Sequence, residues 1–141
     1  VMELFTVEVN RELTLKEMLE IYPFERVHYN ITPQHFPIIG RGRTLISIGA
    51  LNFGKKIISA EVENTMRILG YRPAKIEELI AFSEICFKDK VLRQASVAAL
   101  GSIWETPSRG KCLPCLYDKS LYESYYEGGW SPEQYFACVA E

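Results

Sequence analysis

The chain has 141 residues, 48% apolar and 24% charged, with a formal charge of −2, which puts it with soluble globular proteins and outside the disordered class. No apolar run approaches the ~20 residues that span a bilayer, and Glu3, Glu8 and Arg11 interrupt the start too early for a secretory signal, so a soluble, cytoplasmic protein without a membrane partner is expected. The near-neutral balance weighs against general nucleic-acid binding.

Val1 precedes Met2, which makes Met2 the expected natural start. Glu3 to Asn10 alternates as a strand does, with Phe5, Val7 and Val9 on one side. Thr14 and Glu17 have capping-box spacing, so a short helix is expected to bury Leu15, Met18, Leu19 and Tyr22 and to stop at Pro23. Residues 24–43, broken by Pro33 and Pro37, read as an extended segment laid across the domain. Thr44 to Phe53 reads as a strand. Ser59 is placed as an N-cap, with Val62, Met66 and Leu69 at helical spacing and Gly70 as a left-handed stop. Pro73 is expected to open a second helix at its first position, burying Ile76, Leu79, Ile80 and Ser83. Ser96 to Leu100, Lys111 to Tyr117 and Tyr135 to Ala140 follow as short strands, separated by Gly/Pro/Ser-rich stretches at 105–110 and 128–132. This order predicts one α+β domain over residues 1–141: two short helices on a small, mostly antiparallel sheet with long irregular loops.

The segment from Ile58 to Gly70, followed by Tyr71-Arg72-Pro73-Ala74-Lys75-Ile76-Glu77-Glu78-Leu79, resembles the two-helix part of the C-type-lectin-like fold. The resemblance includes relatives built like formylglycine-generating enzyme, which typically show Gly-x-Arg-Leu-Pro-Thr-x-x-Glu. This chain lacks the Leu and has Ala74 and Lys75 after the proline. Gly101-Ser102-Ile103-Trp104, Gly129-Trp130 and a closing strand Phe136 to Ala140, expected to pair with the first one, extend the resemblance over residues 44–141. It implies a lectin-like core there, with residues 1–43 as an N-terminal addition, and a ligand surface on the loops between the late strands. The Glu-Pro-Asn, Gln-Pro-Asp and Trp-Asn-Asp motifs of calcium-dependent sugar binding are absent, and the cysteine spacing differs from that of the generating enzymes.

Five of the eight tyrosines and one of the two tryptophans fall between Tyr117 and Phe136, mixed with Ser and Gly in the manner of binding loops. A non-catalytic binding module follows, with a protein partner contacted by Tyr122, Tyr125, Tyr126 and Trp130, and with Glu123 and Glu127 setting the charge preference. The ordinary role for Tyr117, Trp130, Tyr135 and Phe136 is core packing. No catalytic residue, metal or cofactor is assigned. The alternatives are a zinc-stabilised domain using Cys112 and Cys115, or an enzyme using His35 or Cys115. Against both stands the expectation that Cys86, Cys112, Cys115 and Cys138 are buried free thiols. Glu77 and Glu78 are adjacent helical residues that should point apart, so a helix-start charge role is expected for them.

Overall fold

The computed structural model describes residues 2–22 and 24–141; Pro23, the expected helix stop, lies outside them. Among the described residues the chain runs β1 (Phe5–Asn10), α1 (Leu15–Ile21), β2 (Arg26–Val27), β3 (Arg43–Asn52), α2 (Ser59–Ile68), β4 (Tyr71–Pro73), α3 (Ile76–Lys88), β5 (Val97–Ala98), β6 (Trp104–Thr106), β7 (Gly110–Tyr117), β8 (Ser120–Tyr125) and β9 (Tyr135–Ala140). Three helices and a nine-stranded mixed sheet make an α+β fold. The sheet is larger than the small one expected because β2, β4, β6 and β8 join the five expected strands. Its order is β1-β3-β9-β5-β7-β8-β2, with β4 on β9 and β6 on β7. Only β5·β9 and β2·β8 are parallel, so the pairing is mostly antiparallel as expected. The closing strand β9 pairs with β3, the first strand of residues 44–141, while β1 lies one strand further out.

One face of the sheet is covered by α1, α3 and the segment carrying Ile31 and Phe36, over Val7, Val9, Ile48, Leu116 and Leu121. The other is covered by α2, whose Val62 and Met66 pack on Leu113, Cys115, Phe136 and Cys138. No helix is long and apolar enough to cross a membrane among the described residues.

Local signals held where the cap or turn is self-contained. Thr14 Oγ1 accepts from the Glu17 N–H at 3.1 Å and Glu17 accepts from the Thr14 N–H at 2.9 Å, closing the capping box. Gly70 takes φ +87°, the left-handed stop. Three expectations fail, two of them where long-range contacts intervene. Pro73 does not open α3, because Tyr71–Pro73 pairs with β9 and the Ala74 N–H donates to Ala137 O at 3.0 Å. Ser59 is not an N-cap; Ile58 holds that position and the Ser59 side chain turns into the core. Leu69 is exposed instead of buried.

Glu77 and Glu78 lie in the first turn of α3, where Glu78 accepts from the Lys75 N–H at 2.8 Å as a helix-start role requires, but they do not point apart as expected. Both are buried, and one guanidinium gathers them: Arg11 lies 2.9 Å from Glu77 Oε2 and 3.2 Å from Glu78 Oε2. Arg72 adds a bidentate pair to Glu78 at 2.9 and 2.7 Å. Burial pushes the Glu78 carboxyl up, but the hydrogen bonds from Arg72 and the Lys75 N–H, with the charges of Arg72 and Arg11, outweigh it and hold the group below its ordinary value. Two cations and two anions thus tie the loop after β1 to the start of α3.

Candidate functional site

The tyrosine-rich tail folds mainly as a hairpin. Asp118 and Lys119, at φ 49° and 60°, form a two-residue turn whose handedness matches strand twist. The register Cys115↔Tyr122 and Leu116↔Leu121 then fixes the faces. Alternation sends Leu121, Glu123 and Tyr125 to one side and Tyr122 and Ser124 to the other.

Tyr122 is half-buried against the α2 cluster and its hydroxyl lies 2.6 Å from Ser96 Oγ. Burial, with the neighbouring Cys115, pushes that phenol up to about 12. Tyr126 packs beside it and donates to Glu63 Oε2 at 3.0 Å. Trp130 is buried at 8% exposure, edge-on to Phe136 at 5.3 Å, and its Nε1–H donates to Ser59 Oγ at 2.8 Å. Ser59 in turn donates to Tyr126 O at 2.6 Å, so one hydroxyl links α2 to the tail. Tyr125 is 44% exposed and accepts from Arg109 Nη1 at 3.3 Å. Glu127 is exposed. Glu123 is not a surface charge: its side chain is 6% exposed, and Oε1 accepts from Asn30 Nδ2 at 3.1 Å.

Two residues outside the expected contact set, Tyr29 and Tyr117, are more exposed than any tyrosine within it. Tyr29 is 80% exposed and stacks on His28 with ring centres 4.4 Å apart; Tyr117 is 49% exposed. With Val27 and Tyr122 they line an open groove of about 660 Å³ at the turn end of the hairpin, bordered by Arg26 and Asp118. A second trough of about 650 Å³ continues from Tyr117 past Ser96, Gln134 and Tyr135, bordered by Lys90 and Glu133. Each border carries one cation and one anion. The sequence assigns Tyr117 to core packing, on the ground that irregular strands need large side chains to fill space. Nothing in the sequence singles out Tyr29, because residues 24–43 also carry Phe24, Val27, Ile31, Phe36, Ile38 and Ile39.

The cysteines and histidines do not assemble. Cys112 and Cys115, three apart on β7, point to opposite faces of the sheet. No group of three His, Cys, Asp or Glu side chains converges as a metal site among the described residues. Burial pushes the Cys86, Cys115 and Cys138 thiols up to about 12, which leaves them protonated near neutrality. His35 donates from Nδ1 to Asn30 O at 2.9 Å and stacks on Trp104 at 3.5 Å. Trp104 belongs to the α3 side of the sheet and Cys115 to the α2 side, so the sheet stands between His35 and Cys115.

Comparison of the chain with family models, curated proteins and solved structures finds no match. The site is therefore read from its own chemistry. Exposed aromatic rings, balanced border charges and open troughs suit contact with a ligand.

Proposed function

We propose that the protein is a non-catalytic binding module that holds an extended segment of a partner protein along the troughs on either side of Tyr117. The observation that carries this reading is the run of Tyr29, Tyr117 and Tyr122 along an open groove, continued by a second trough of similar size. Tyrosine offers a large, rigid contact area with a polar tip, and such rings dominate interface energetics. The paired border charges, Arg26 with Asp118 and Lys90 with Glu133, suit a polypeptide of mixed character better than a phosphate chain.

The reading keeps Tyr122 of the tail as a contact residue, leaves Tyr125 outside the troughs, and gives Trp130 and Tyr126 the role of holding the hairpin in place. It includes a C-type-lectin-like relationship without calcium-dependent sugar binding. Support for that comes from the helix, Gly70, Arg72-Pro73 and second-helix order, and from β9 pairing with β3.

The test is affinity for peptides selected against the folded protein from a random-peptide library. Tyr117→Ala and Tyr29→Ala should each weaken a selected peptide by about 2 kcal/mol, roughly 30-fold. Selected peptides that bind both variants as tightly as the parent would contradict the reading.

A further inference from the structure

A second site lies at the other end of β8 and shares no lining residue with the troughs, so it stands independently of the groove. Its centre is Glu123. The carboxylate is held under the segment that carries Asn30, and its side chain is 6% exposed. Oε1 has two neighbours, Asn30 Nδ2 at 3.1 Å and Arg109 Nη2 at 3.4 Å. Oε2 is buried and makes no hydrogen bond of ordinary geometry among the described residues, although the Cys112 thiol, a weak donor, stands beside the carboxylate. A buried carboxylate oxygen left without a partner is costly, and charge-assisted bonds to carboxylates ordinarily close to 2.7–2.9 Å. Arg109 therefore leaves its carboxylate only partly satisfied. It is also the more exposed member: it sits in the turn between β6 and β7, with 43% of its side chain exposed.

The shape of the contact identifies the ligand class. Arg109 reaches Tyr125 Oη with Nη1 at 3.3 Å while Nη2 reaches Glu123, so two nitrogens of one planar fork address two acceptors. A guanidinium presents two coplanar donors to this pair, a directional match that a point-like ammonium lacks. The geometry points to a guanidinium-recognition site, built by Glu123 and Tyr125 and occupied in cis by Arg109, which an arginine side chain of a partner protein enters by displacing Arg109. An incoming fork in the plane of the carboxylate bonds both oxygens, supplying the partner that Oε2 lacks.

The test uses the whole protein and N-acetyl-arginine-N-methylamide, with the lysine analogue as comparison, titrated while the Asn30 side-chain amide and Tyr125 ring signals are followed by NMR. Arg109→Ala should bind the arginine compound at least tenfold more tightly than the parent. Adding Glu123→Gln should abolish that binding, and the lysine analogue should bind several-fold more weakly. If the double variant does not fold, Tyr125→Phe in the Arg109→Ala background takes its place and should weaken binding several-fold. Equal affinity in the parent and Arg109→Ala, indifference to the second substitution, or equal binding of the lysine compound would each overturn the proposal.

Discussion

Replacing Glu78 by Gln tests the buried ion network that fixes the loop after β1 to the α2–α3 unit. In the native fold Glu78 is fully buried and meets Arg72 at 2.9 and 2.7 Å, Arg11 at 3.2 Å and the Lys75 N–H at 2.8 Å. The amide keeps the volume and one acceptor but removes the charge, leaving Arg11 and Arg72 opposed by Glu77 alone. Breaking one member of a buried pair costs about 3–5 kcal/mol. Arg72 is 33% exposed and regains some hydration, so the lower end, about 3 kcal/mol, is expected. At about 2.1 cal/mol/K per residue, that lowers Tm by roughly 10 °C for a chain of this length. The assay is urea unfolding at pH 7 and again toward pH 3. A carboxyl whose folded pKa is depressed contributes stability above its unfolded value and loses it as pH falls through the folded one. Since Glu78 is held below its ordinary 4.5, the gap between parent and Glu78→Gln should be full near neutrality and narrow as pH drops below that value. A loss under about 1 kcal/mol at pH 7, or a gap unchanged at pH 3, would refute the reasoning.

Ser59→Ala leaves the Trp130 Nε1–H buried without its acceptor and should cost about 2 kcal/mol by denaturant unfolding. In a Trp130→Phe background the same change should cost less than about 1 kcal/mol, and strict additivity would contradict the link. Gly101→Ala places a Cβ 2.6 Å from Ala74 O and 2.8 Å from Pro73 O, both backbone atoms. It should lose about 2–3 kcal/mol, with a near-native Cm as the contrary result. Lys119→Gly relieves a left-handed residue at φ 60° and should stabilise the hairpin by up to about 1 kcal/mol, raising Cm.

What the sequence made legible was local. The capping box at Thr14, the stop at Gly70, the apolar alternation of β1 and the apolar runs of β3 and β9 each depend on a few neighbouring residues. What it concealed was set by partners far along the chain. Arg11 meets Glu77 across 66 positions, and no short-range pattern in Glu77-Glu78 announces a shared guanidinium. Pro73 was claimed by β9, a pairing that outweighs its preference for a helix start. The hairpin of β7 and β8 was hidden because its turn uses Asp118 and Lys119 instead of the glycine or asparagine that marks left-handed positions. Without that turn, Ser120 to Tyr125 read as a loop. Once the strand forms, its alternation divides the tail between a packed side with Tyr122 and a side where Glu123 is buried and Tyr125 emerges.

The most direct test of the binding reading is where a selected peptide touches the protein. Amide and tyrosine-ring NMR shifts, followed on addition of the peptide, should change most at Tyr29, Tyr117 and Tyr122 and continue toward Ser96 and Gln134. Shifts confined to the exposed side of α2 or to the outer edge of β1, with the three tyrosines unmoved, would contradict the account.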